Sequence, residues 1–149
     1  MSWWDSLNIS ASGLTAQALR MDVISNNIAN AQTTRTPSGG PYRREMVVLQ
    51  PGSAPTSFAG WLSQSMQQTG TSAAGTGVQV AGVVQDPSAF KVVYDPTNPD
   101  AVNGYVQMPN VDVATEMVDM VSASRAYEAN VTAFDASKQM YQDALNLGK

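Results

Sequence analysis

The stretch Asp112–Leu147, DVATEMVDMVSASRAYEANVTAFDASKQMYQDALNL, decides how this chain is read. It holds neither proline nor glycine, and Gly148 follows it. Asp112 is the residue type that caps a helix start, and a glycine past the end is a common stop. Val113, Met120, Tyr127, Phe134 and Tyr141 recur at sevens, with Met117, Ser124, Val131, Lys138 and Leu145 four residues on. Eight of these ten positions are apolar. That spacing predicts one long helix with a coiled-coil-like stripe. At about 1.5 Å per residue it makes a rod of about 50 Å, and such a rod needs a partner of similar length.

The other end of the chain supplies one. Residues 5 to 31 predict an amphipathic helix in which Leu7, Leu14, Met21 and Ile28 recur at sevens, with Ala11, Ala18 and Ala31 close by. Gly13 weakens it by about 1 kcal/mol relative to alanine. Asn26, Asn27 and Asn30 lie where the helix should stop. Thr33, Thr34, Pro37, Gly39, Gly40 and Pro41 then break the chain into loop. Packing two such helices at a shallow angle still leaves apolar surface wet, and exposed stripes of that kind mark interaction surfaces.

Between the helices the pattern turns β-like. Tyr42–Leu49 before Pro51, Val78–Val84 and Phe90–Tyr94 predict strands, the last two followed by Asp86–Pro87 and Asp95–Pro96. Residues 52–77 are rich in Gly, Ser, Thr, Ala and Gln and end in TGTSAAGTG, a flexible-connector composition. Phe58, Trp61, Leu62 and Met66 suggest a short helix within it. The expected architecture is therefore α-rich with a small β insert. Residues 1–34 form an N-terminal helix and Asn-rich turn, 35–110 a loop- and β-rich middle, and 111–149 the C-terminal helix.

Composition removes much chemistry. The 149 residues include no histidine and no cysteine, which excludes the usual zinc sites, Cys nucleophiles and His-dependent triads. Net charge is −4, and no basic cluster exceeds Arg43–Arg44, so there is no nucleic-acid footprint. Only 13% of residues are charged, which suggests a surface largely covered in use. No stretch matches a membrane span or a cleavable Sec signal.

Single residues carry competing readings. Trp3 and Trp4 form a hydrophobic anchor, on a neighbouring subunit or at a membrane interface. Arg125 with Glu128, and Asp135 with Lys138, are spaced for surface i,i+3 pairs. Asp86, Asp95, Asp100 and Asp112 sit in or beside turns, where Asp bonds local backbone. Glu116 and Asp119 could share a proton as a glycosidase pair does, yet no base, metal ligand or glycine-rich cradle accompanies them. The asparagine run reads as turn chemistry and as a subunit contact together.

Both ends of the chain resemble the flagellar axial proteins, specifically the basal-body rod family. Ser12–Thr34, SGLTAQALRMDVISNNIANAQTT, carries the N-terminal resemblance, most of all through Asn26, Asn27, Asn30, Thr33 and Thr34. Glu116–Met140, EMVDMVSASRAYEANVTAFDASKQM, carries the C-terminal one, with Arg125, Ala126, Tyr127 and Asn130. GPYRRE (Gly40–Glu45) and GYVQMPNVD (Gly104–Asp112) narrow it to the short proximal-rod members rather than distal rod or hook proteins. The resemblance implies a non-enzymatic structural subunit, without cofactor, metal, nucleic acid or small-molecule substrate. Its implied partners are copies of itself, other rod proteins, a ring or adaptor at the rod base and, in transit, the type III export apparatus. Its implied place is the periplasmic rod of the basal body, reached without a cleavable Sec signal. The expected subunit interface comprises Leu7, Leu14, Met21, Asn26, Asn27, Ile28, Asn30, Thr33 and Thr34 at one end. At the other it comprises Val113, Met117, Met120, Arg125, Tyr127, Asn130, Val131, Phe134, Tyr141 and Leu145. Another axial subunit and a non-polymerising helical adaptor or chaperone are the alternatives.

Overall fold

The computed structural model describes residues 3–52 and 77–147. The readings of a short helix around Phe58–Met66 and of a flexible connector fall on residues outside these. Helix α1 spans Trp3–Ala29, strands β1 to β4 span Glu45–Pro51, Val78–Gln85, Lys91–Tyr94 and Tyr105–Met108, and helix α2 spans Val113–Leu147. The fold is thus two long helices bracketing two two-stranded sheets, β1–β2 and β3–β4, as the sequence predicts. No helix among the described residues is long and apolar enough to cross a membrane.

The ends of the helices follow from their residues. Asp112 caps α2: its carboxylate accepts from the Ala114 N–H (3.1 Å) and the Thr115 hydroxyl (2.9 Å). Helix α1 ends two residues earlier than predicted. There the Asn30 side-chain amide donates to the Asn26 carbonyl (3.0 Å) and to its Oδ1 (2.9 Å), replacing helical continuation with local bonding. Strand β1 starts at Glu45 rather than Tyr42, because Tyr42–Arg44 are committed to side-chain contacts described below. Sequence reading assigned no strand to Tyr105–Met108.

The chain divides into two compact units. The first comprises Met1–Gln17, Leu49–Ala81 and Ala126–Lys149. In it α1 and α2 run antiparallel: Ser6 and Ser137 share a hydroxyl hydrogen bond of 3.2 Å, and seven residues along each helix Gly13 meets Asn130. A Cβ at Gly13 would stand 2.9 Å from the Asn130 amide, which itself donates to the Ala126 carbonyl. The glycine that weakens α1 is therefore what lets the helices approach. Ala16, Ser10 and Ser137 are buried here. Ser12, within α1, ties down the start of β2, its hydroxyl accepting from the Val78 N–H (3.0 Å).

The second unit comprises Ala18–Val48 and Gly82–Arg125. Its buried apolar residues are Val23, Ile24, Val106 and Ala123. Strands β3 and β4 pair antiparallel, Lys91 opposite Met108 and Tyr94 opposite Tyr105. This register puts Val106 on the inner face, while Val92, Tyr94 and Tyr105 face outward. Asn103 and Gly104 lead into β4 through a two-residue turn with positive φ at both (55° and 81°), closed by Val102 and Tyr105. Gly104→Ala strains that φ and puts a Cβ 2.8 Å from the Tyr94 ring. It should lower stability by about 1–3 kcal/mol, read by urea denaturation.

Candidate functional site

A polar lock lies at the centre of the second unit. Asn27, on α1, is 1% exposed and makes all four hydrogen bonds open to an amide. Its Nδ2 donates to the Glu45 carbonyl (2.8 Å) and to Glu116 Oε2 (3.0 Å). Its Oδ1 accepts from the Tyr42 hydroxyl (3.0 Å) and the Glu45 N–H (2.9 Å). Glu116, on the first turn of α2, is also 1% exposed. Its other oxygen accepts from Arg44 Nε at 2.5 Å. The same guanidinium reaches Asp119 at 3.3 Å and Asp86 at 3.8 Å, so one cation serves three carboxylates.

The backbone is held by the same groups. The Arg44 N–H donates to Asn110 Oδ1 (2.8 Å), and the Arg44 carbonyl accepts from the Asp86 N–H (2.8 Å). Beside it Arg43 donates to the Asp86 carbonyl (2.8 Å) and lies 4.4 Å from the centre of the Phe90 ring. GPYRRE, the asparagine run, GYVQMPNVD and the start of α2 therefore converge on one cluster. Each had stood alone in the sequence.

The lock has a pH signature. Burial, with the Glu45 and Glu116 carboxylates nearby, raises the Tyr42 phenol above its ordinary value. A raised pKa means the protonated form is favoured by folding. That stability is full below about pH 10, where free tyrosine titrates, and is lost as pH rises through the higher folded value. Thermal unfolding midpoints should therefore fall above about pH 10. Tyr42→Phe should flatten that alkaline slope while costing about 1 kcal/mol at neutral pH. The Ser88 hydroxyl and backbone N–H hold Asp86 below the usual carboxylate range against the opposing effect of desolvation, with Arg44 and Arg43 adding to the lowering. Its contribution is present above the ordinary carboxylate value and lost as pH falls through the lowered one.

The predicted carboxylate readings divide. Asp86, Asp95 and Asp112 bond local backbone as turn residues do. Asp100 instead accepts from the Thr34 hydroxyl (2.8 Å) and pairs with Arg35 (3.6 Å). Neither Arg125 nor Glu128, and neither Asp135 nor Lys138, enters an ion pair among the described residues. Glu116 and Asp119 are not left facing each other: each is paired with Arg44.

The helix stripes are placed differently from the lock. Leu7, Leu14, Met21 and Ile28 are half-buried, and the buried face of α1 is formed by Ala16, Val23, Ile24 and Asn27. On α2, Met120, Tyr127 and Phe134 are half-buried, and Val113 and Tyr141 are exposed. The companion row is turned outward: Met117, Val131 and Leu145 are exposed, as is Lys138, and only Ser124 is half-covered. The inward companions of Met120, Tyr127 and Phe134 are Glu116, Ala123, Asn130 and Ser137, small or polar residues that hydropathy does not select. Asn26 is exposed, and Asn30, Thr33 and Thr34 are half-buried, with the Thr33 hydroxyl donating to Asn30 Oδ1 (3.2 Å). Trp4 is exposed.

In the second unit, Val118 (69% exposed), Met117 (55%) and Val121 (52%) line a shallow groove of about 440 Å³ with Ser122 and Arg125. Contiguous apolar surface left open to solvent commonly marks an interaction site.

Two long terminal helices, one bearing such a strip, with two small two-stranded sheets between them in sequence, are the organisation of an assembly subunit. Residues 7–35 match the family model described as flagella basal body rod protein. Residues 102–147 match that of the flagellar basal body rod FlgEFG protein C-terminal region. The flagellar basal-body rod protein FlgC of Bacillus subtilis is 53% identical over all of both chains. That of Borreliella burgdorferi is 47% identical over 97% of each, and that of Salmonella typhimurium 41% over all of both. The chain belongs to the FlgC family of flagellar basal-body rod proteins, structural subunits of the basal body.

Proposed function

We propose that this chain polymerises through its terminal helices into the proximal part of the rod, a hollow shaft that transmits torque. Residues 1–34 and 111–149 are its axial elements, and residues 35–110 form the middle carried on them. The observation that carries the reading is the solvent-facing apolar strip Met117, Val118 and Val121 on α2. Stiff, laterally packed helices are what a torque shaft requires, and a strip without in-chain cover is what lateral packing uses. The interface further includes the half-buried residues Leu7, Leu14, Met21, Ile28, Met120, Tyr127 and Phe134, and the exposed Val113, Val131, Tyr141 and Leu145. Asn27 contributes from inside the chain, by fixing β1 against the helices.

The partners are copies of this chain, other rod proteins and a ring or adaptor at the rod base. The chain is carried through the type III export apparatus and works in the periplasmic rod. It has no catalytic role: Glu116 and Asp119, the acids spaced like a glycosidase pair, are both tied to Arg44. Mass spectrometry of purified hook–basal bodies tests the assignment. Finding the chain there with its N-terminus uncleaved supports rod placement and this route. Finding it only in the cytosol favours the non-polymerising adaptor.

A further inference from the structure

We propose that Arg125 on α2 of one copy pairs with Asp22 on α1 of a second copy, so that the contact runs head to tail. The inference rests on the assembly reading above and names the occupant of the α2 strip.

Arg125 lines the same groove as Met117, Val118, Val121 and Ser122, is exposed, and enters no ion pair or hydrogen bond among the described residues. In the free chain water solvates it. Once a partner covers the apolar groove, the guanidinium loses that water and requires a carboxylate from the covering surface. A second copy can supply one. Asp22 is exposed on α1, likewise without an ion pair or hydrogen bond among the described residues. It lies next in sequence to Met21 of the half-buried stripe. Ala18, Ser25 and Ala29 share its face of α1 and are short enough for a helix to lie close.

Arg125 and Asp22, both without an ion pair among the described residues, stand on different helices of one chain. A contact joining them between copies is heterologous and repeats instead of closing as a dimer, which a shaft needs. The competing arrangement sets α2 against α2, with Arg125 facing Glu128 of the second copy. It is isologous and would stop at two.

The test is charge exchange in the full chain, in cells lacking their own copy, with recovered hook–basal bodies counted. Arg125→Asp and Asp22→Arg should each lower recovery about tenfold or more, and the double variant should return it to within about threefold of the parent. Thermal melts of each purified variant should match the parent, since both positions are exposed. Single variants that assemble normally would overturn the pairing, as would a double variant that stays defective. Rescue of Arg125→Asp by Glu128→Arg in place of Asp22→Arg would establish the α2–α2 arrangement and also overturn it. Normal assembly of Val121→Asp would instead remove the reading on which the pairing rests.

Discussion

Arg44→Ala should destabilise the chain by about 3–5 kcal/mol, the largest loss expected from any single substitution of an ion-pair residue here. The reason is the charge left behind rather than the bond removed. Glu116 is 1% exposed and would retain only the Asn27 amide as a donor. An ionised carboxylate in that position has lost its water and its cation together. Asp86 and Asp119 would lose the same partner, with less effect because Asp119 is half exposed and Asp86 keeps the Ser88 hydroxyl and N–H as donors. Urea denaturation at neutral pH reads the cost as a lowered midpoint. Arg44→Lys should recover part of it, since it keeps a point charge but not the fork that spans Glu116 and Asp119. Adding Glu116→Gln to Arg44→Met should recover most of it, since the buried charge is gone and the Asn27 bond survives. A loss below about 1 kcal/mol for Arg44→Ala would mean that the cluster is wetter and weaker than its geometry implies.

The lock also shows where reading the sequence stops. Helical periodicity is a property of neighbouring residues, so α1, α2 and the Asp112 cap are legible directly from spacing. The β insert is legible in outline: β2 and β3 fall where the β-branched runs lie. Strand β4 carries no β-branched run, although Asn103–Gly104 ahead of Tyr105 is the turn signal that announces it. The lock belongs to another class. Asn27, Tyr42, Arg44, Asp86, Asn110 and Glu116 come from five separate parts of the chain, and no local pattern says that they meet. Their motifs could be quoted, but which atoms they bring together is set by tertiary packing.

The same limit governs the helix seam. A hydrophobicity count selects Met117, Val131 and Leu145 as companions of the Met120, Tyr127 and Phe134 row. The structure turns those residues outward and puts Glu116, Ala123, Asn130 and Ser137 on the in-chain side. Close approach explains the choice. Gly13 against Asn130, and Ser6 against Ser137, leave no room for large apolar side chains, and their polar groups find partners across the seam or on their own helix. The residues that look most like a core are thus the ones left exposed, and the smallest ones hold the chain to itself.

That division leads to a substitution with a large effect on assembly and almost none on folding. Val121 is 52% exposed, and its side chain lines the groove with Met117 and Val118. Val121→Asp puts a carboxylate where water already reaches, and valine and aspartate differ little in helix preference. Monomer stability should therefore change by no more than about 0.5 kcal/mol, within about 1–2 °C in the melting midpoint. In the assembled rod the same carboxylate would lie between packed helices, desolvated and beside apolar neighbours. Its cost there of about 3 kcal/mol or more corresponds to at least about a hundredfold fewer assembled subunits, so swimming should be abolished. Val121→Ala, which removes area without adding charge, should reduce assembly only slightly. Monomer melts and counts of recovered hook–basal bodies separate the two effects. Normal swimming by the Val121→Asp strain would show that this face of α2 stays wet in the rod, and the shaft would then have to be built through the other faces of the helices.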